Sequence, residues 1–133
     1  MVQKTLSMEY AAVAVGGVIG AVLRELIELL LSANLTDHIP LATLLINWTG
    51  SLFLGWFYTR TIWRWRVPQW ARAGLGTGLT GAFTTFSTFS VESVQLLSHN
   101  AALGMLYILS SVVGGLGLSL IGMRLAGERP DKE

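Results

Sequence analysis

The chain of 133 residues contains no cysteine, which excludes disulfides, thiol catalysis and cysteine-ligated metals. Histidine is almost as scarce: His38 and His99 are the two conventional transition-metal ligands left, and each sits at a predicted helix end. Charge is low as well, at 13% of residues, and nets to +1. The nine Lys and Arg are not gathered on one amphipathic face or tail, so nothing in them makes a case for nucleic-acid binding. No nucleophile and base pair or catalytic metal cluster argues for an enzyme. What the chain does have is apolar character: 52% of it is hydrophobic, which points to an all-α polytopic membrane protein rather than a soluble domain.

A membrane-spanning helix needs roughly 20 apolar residues. Four segments qualify, at about 8–31, 40–58, 71–97 and 101–125, and they make the whole of 1–133 a single transmembrane domain. The first apolar run, Tyr10 to Leu23, is followed by Arg24, Glu25 and Glu28 before any small-residue cleavage site, so it is read as a retained helix and not a signal peptide. The connections "SANLTDHIP", "TRTIWRWRV" and "SHN" carry the breaker and polar residues. Trp63, Trp65 and Trp70 beside Arg60, Arg64, Arg66 and Arg72 have the composition of an interfacial belt. The second connection and the two tails (Lys4, Arg129, Lys132) hold the loop cations, while the first and third connections have none, so both termini are expected in the cytoplasm. Four short helices enclose little interior, and a solute route is expected between subunits. Gly16, Gly17, Gly20, Gly50, Gly55, Gly114, Gly115 and Gly117 suit close helix packing, either between chains or within one bundle.

Polar residues inside these segments need partners, because lipid offers none. Asn47 lies near the middle of the second helix with Thr43 one turn before it; its amide either bonds another helix or presents a donor to an anion. In the third segment, glycines at 74, 76, 78 and 81 followed by Thr84 and Thr85 make a poor continuous helix, and a break is expected around Gly81 to Thr84. Two readings of it stand: a kink satisfied by Ser and Thr side chains, or freed carbonyls that hold a cation such as Na+. Phe86 and Phe89 follow at i, i+3, with hydroxyls at Ser87 and Thr88; such rings serve packing, or line a dry path with their positive edges toward a small anion. Glu92, one turn past Phe89, would be costly in lipid. In the fourth segment Tyr107, Ser111, Gly115 and Ser119 recur at i, i+4 as one polar and small stripe. Arg24 stands one turn before Glu28, as an ion pair or a vestibule cation.

The phrases "GAFTTFSTFSVE" (81–92), "GAVLR" (20–24) and "TLLINWTGSLFLG" (43–55) resemble the Fluc (CrcB-type) family of small bacterial fluoride channels, in the correct order over three of the four helices. The resemblance implies passive fluoride efflux across the cell inner membrane through an antiparallel, dual-topology dimer with two pores and a central structural Na+. It implies that Asn47 is the pore amide, that Phe86 and Phe89 are the paired rings, and that Gly81 and Thr84 supply carbonyls to Na+. Thr43, Ser87, Thr88 and Glu92 resemble residues of the pathway, and Tyr107 and Ser111 its fourth-helix polar track, while Gly115 stands where a hydroxyl is expected. Fluoride, Na+, membrane lipid and a second inverted copy are the implied partners. Since the loop charges are one-sided, pairing with an oppositely oriented paralogue is the alternative to a homodimer. The rival functions are a proton-coupled exporter of the small multidrug-resistance type, which needs a carboxylate deep in its first helix where this chain has only the late Glu25 and Glu28, and a non-transporting assembly subunit.

Overall fold

The computed structural model describes residues 2–32, 39–63 and 65–127, with the side chains of 2–5, 32 and 63 left aside. His38, Arg64, Arg129 and Lys132 lie outside the described residues. Among the described residues all regular structure is helical: α1 (Val2–Ser32), α2 (Leu41–Trp63), a composite third element and α6 (Ala101–Leu125). The third element runs through α3 (Gln69–Arg72), a π-helical segment (Ala73–Thr80), α4 (Gly81–Phe83) and α5 (Ser87–His99). Asn100 separates α5 from α6 and caps α6, its side-chain oxygen accepting the N–H groups of Ala102 and Leu103 at 3.1 and 3.2 Å.

Neighbouring contacts fix the course of the chain. Gly16 lies against Gly74 and Gly20 against Leu79, so α1 and the third element run the same way. Trp48 lies against Gly114 and Gly55 against Ser119, so α2 and α6 also run together. Thr43 meets Glu92 while Tyr58 meets Gly76, which sets α2 against the third element. The result is an up-down-up-down bundle in which α2 packs chiefly on α6, and α1 on the π segment and α4.

Small residues let these backbones touch. A methyl at Gly16 would overlap the Gly74 carbonyl, and one at Gly20 the Leu79 carbonyl; from the other side, Gly74 faces Ala12 and Gly78 faces the Val13 carbonyl. Two small-xxx-small pairs, Gly16 with Gly20 on α1 and Gly74 with Gly78 opposite, therefore admit the facing backbone along one seam. Gly55, Gly114 and Gly122 do the same service between α2 and α6. Of the glycines singled out above, Gly16, Gly20, Gly50, Gly55 and Gly114 serve packing inside this chain, whereas Gly117 has open space around it.

Glycine also explains the π segment. Gly74 and Gly78 turn toward α1 while Gly76, between them, takes the Tyr58 hydroxyl, a division of contacts that a residue with a side chain could not make at this spacing. The Thr80 hydroxyl donates to the Leu75 carbonyl, five residues back, at 2.9 Å, which suits the wider turn. The interruption falls within the expected stretch, at its far end. Gly81 is still helical, and Thr84 is the residue that turns extended, with ψ 155°.

The surface is the inverse of a soluble domain. Thr43, Thr59, Thr61, Thr80, Thr85 and Ser93 are buried, while apolar residues such as Val18, Leu30, Val94, Val113 and Leu116 are more than half exposed. Among the described residues α6 alone is both long enough and apolar enough to meet the requirement for a bilayer span, with a mean hydropathy of 1.8.

Candidate functional site

The site forms where α2 passes the interruption in the third element. Asn47 projects from α2 and pairs with the Thr85 peptide at both ends of its carboxamide: Nδ2 donates to the Thr85 carbonyl at 2.9 Å, and Oδ1 accepts the Thr85 N–H at 2.9 Å. That N–H would go to the Gly81 carbonyl if the helix continued. Asn47 thus replaces a turn of helix with a side chain from another element. Gly50, one turn along α2, gives room for the Thr84 side chain, whose hydroxyl folds back onto the Thr80 carbonyl at 2.9 Å.

Thr85 restarts the helix. Its hydroxyl accepts the Thr88 N–H at 3.2 Å, as an N-cap does, and donates to Thr88 Oγ1 at 3.0 Å. Ser87 Oγ lies 3.4 Å from the same hydroxyl and its residue is exposed. Neither Thr85 nor its capping function figured among the site residues expected from the sequence, although the Thr-x-x-Thr spacing at 85 and 88 is a usable signal.

Three rings follow in file. Phe86 and Phe89 have centroids 6.0 Å apart at 44°, and Phe89 and Tyr107 5.5 Å apart at 35°. Phe86 is 80% exposed, whereas Tyr107 is 2% exposed. The Tyr107 hydroxyl donates to Glu92 Oε2 at 2.7 Å, and Thr43 donates to Glu92 Oε1 at 3.0 Å. Both carboxylate oxygens are therefore satisfied inside the chain, and Glu92 anchors the last ring.

Asn47, Gly81, Thr84, Phe86, Phe89 and Ser111 line one open groove of about 400 Å³. Thr43, Glu92 and Tyr107 form the hydrogen-bonded cluster just behind Phe89. Arg24 is apart from the groove, 3.7 Å from Glu28 in α1. At Gly115, Ser51 Oγ lies across the interface, 3.5 Å from where a methyl would stand, and Ser51 lines the same groove as Ser111. Ser51 lies in α2, four residues after Asn47, and the sequence gives no sign that it faces α6.

The groove also bears on a cation. With the Thr85 N–H diverted to Asn47, the Gly81 carbonyl loses its helical donor, and the space beside Gly81 is open to 4 Å. Neutral backbone oxygens at an open helix break suit a hard monovalent ion, so the residues present fit Na+.

The interrupted helix, its side-chain brace and the ring file on a four-element helical bundle define a class of small helical membrane proteins. Residues 11–123 match the family described as CrcB-like protein, Camphor Resistance (CrcB), and the chain belongs to that family. It is 39% identical over 127 residues to "Fluoride-specific ion channel FluC 2" of Geobacillus kaustophilus, covering 95% of this chain and 97% of that protein. It is 42% identical over 117 residues to "Fluoride-specific ion channel FluC 1" of Bacillus cereus (87% and 81% covered). With "Fluoride-specific ion channel FluC" of Thermotoga maritima it shares 37% identity over 121 residues (90% and 95% covered).

Proposed function

We propose that this chain is a fluoride-selective channel that lets fluoride leave the cell passively through the inner membrane, with all four helical elements spanning the bilayer. The observation that carries the reading is the file Phe86, Phe89 and Tyr107 beside the braced helix break, open along one side. Fluoride is small and strongly hydrated, so a path must replace its water with closely placed weak donors without trapping it. Ring edges, the Ser51 and Ser111 hydroxyls and the Ser87 hydroxyl are donors of that kind. Among the described residues no Lys or Arg lines the groove to hold the ion too tightly.

The exposure of Phe86 and the open groove are what a second copy would cover, and we infer an antiparallel homodimer in which each chain contributes a ring file. Na+ would sit at the two helix breaks, held by the carbonyls of Gly81 and Thr84, and would supply a fixed positive charge between the chains. Arg60, Arg66, Arg72 and Arg124 lie at one end of the bundle and Arg24 nearer the other, so dual insertion must overcome the charge bias.

Fluoride efflux from loaded liposomes, read with fluoride and chloride electrodes, tests the function: rapid fluoride flux without chloride flux is expected, and Phe86→Ile lowers it while dimers still form. Equal passage of both halides, or of neither, refutes the channel. Because the chain lacks cysteine, one cysteine placed near a terminus reports topology unambiguously; labelling from both sides is expected, and labelling from one side only overturns the homodimer in favour of a paired paralogue.

A further inference from the structure

A second cavity, of about 470 Å³, opens at the arginine-rich end of the bundle, away from the ring file. It is lined by Glu9 of α1, Tyr58 of α2, and Val67, Gln69, Arg72 and Ala73 at the entry to the third element. Among the described residues Glu9 and Arg72 face this one cavity yet form no ion pair with each other. Arg72 Nε is buried and makes no hydrogen bond. Among the described residues the Tyr58 hydroxyl makes none either; it rests over Gly76 because glycine leaves the space for it. Arg60, close by in chain order to Tyr58, also has a buried Nε without a partner, but the rest of its guanidinium is engaged: Nη1 donates to the Ala126 carbonyl at 2.8 Å and the group lies 5.7 Å from the centre of the Trp65 ring. Exposed Trp65 and Trp70 flank the cavity's own residues in sequence and mark the level of the lipid headgroups.

A guanidinium and a carboxylate that line one cavity without pairing suit a ligand bearing both charges. A purely anionic group would satisfy Arg72 and be repelled by Glu9. A zwitterion with a phosphate and a hydrogen-bonding ammonium satisfies both, with the Gln69 amide and the Tyr58 hydroxyl as further donors to phosphate oxygens. Val67 and Ala73 offer an apolar lip where acyl chains begin. We propose that this cavity binds the headgroup of phosphatidylethanolamine, phosphate toward Arg72 and ammonium toward Glu9. This rests on the reading that the chain spans a membrane, though not on which ion it conducts.

The purified full chain, in detergent, is titrated with dioleoyl phosphatidylethanolamine, phosphatidylcholine or phosphatidylglycerol, and bound lipid is counted by native mass spectrometry. Phosphatidylethanolamine is expected to be retained about tenfold better than either other lipid, the scale of one charge-assisted hydrogen bond. Glu9→Gln removes its advantage over phosphatidylcholine, whose ammonium cannot donate. Arg72→Gln lowers retention of all three, and Tyr58→Phe, which removes one hydroxyl, gives a smaller loss in a chain that still folds. Equal retention of the three lipids, or retention unchanged in Glu9→Gln and Tyr58→Phe, overturns the proposal. Soluble phosphoethanolamine is the second arm: failure to displace the lipid at equal concentration supports a membrane source, and binding as tight as the lipid's refutes it. Fluoride flux of the same preparations is recorded separately, so a chain that retains the lipid but passes no fluoride refutes the channel and leaves this site standing.

Discussion

Removing the Asn47 carboxamide is the perturbation that reaches furthest. In Asn47→Ala the Thr85 N–H and carbonyl lose both partners at once, since each is bonded to the amide at 2.9 Å. Thr85 is a buried residue at a helix break, so water is a poor substitute. Leaving one buried polar group unsatisfied costs about 1–3 kcal/mol, so two give roughly 2–6 kcal/mol against the extended geometry at Thr84. The chain's cheapest response is to return the Thr85 N–H to the Gly81 carbonyl and close the helix, which re-aims Phe86 and withdraws the carbonyl. Fluoride efflux should therefore fall at least about a hundredfold, the equivalent of some 3 kcal/mol, while the thermal unfolding midpoint in detergent falls less, because closing the helix recovers part of the loss. Asn47→Asp separates bracing from donation: it keeps the acceptor for the Thr85 N–H, but puts an oxygen against the Thr85 carbonyl. Efflux at the wild-type rate in both variants would refute the brace and its link to conduction.

Three further outcomes follow from packing and capping. Gly20→Leu places carbon into the Leu79 carbonyl and the Phe83 N–H, backbone atoms that cannot move aside singly, so folded protein in detergent should drop sharply, whereas Gly117→Ala, with open space around it, should be neutral in the same size-exclusion assay. Thr85→Val keeps the shape but removes the cap on the Thr88 N–H, and should lower thermal stability by about 0.5–2 kcal/mol and fluoride flux with it. Tyr107→Phe deletes the 2.7 Å bond to Glu92 while leaving the ring; a loss of roughly 1.5–3 kcal/mol in a chemical denaturation series is expected, and an unchanged curve would show that Glu92 does not anchor Tyr107.

Local pattern made the elements legible. Apolar length located four helical segments, and the glycines before Thr84 and Thr85 marked the third as discontinuous. The Phe86 and Phe89 pair was equally plain, because i, i+3 spacing puts two rings on one face wherever the helix lies. What stayed hidden depends on residues far apart in sequence. An amide at 47 gives no indication that both its ends meet a peptide 38 positions on. Ser51 lying beside Gly115, and Tyr58 resting over Gly76, are likewise properties of two helices in register and not of either alone. The exact residue of the interruption, Thr84 at the far end of the expected stretch, was hidden for the same reason. The glycines permit a break anywhere in 81–84, and Asn47 with the room at Gly50 favours Thr84.

The hydrogen bonding around the groove divides into groups that are committed and groups that are free. Asn47, Thr84, Thr85, Thr88, Glu92, Thr43 and Tyr107 all spend their polar atoms on one another or on the backbone. Ser51 and Ser111, which face the groove, have no protein partner among the described residues, and Phe86 is exposed. A rigid frame behind weak, unengaged donors is the arrangement in which ion size can be discriminated, since a frame that could relax would accept a larger halide by moving apart. Strong donors held within the frame also keep a dehydrated anion from binding too firmly to leave. In the proposed channel the polar residues closest to the helix break therefore act mainly by fixing the Phe86, Phe89 and Tyr107 file, and the weaker groups at its edge meet the ion.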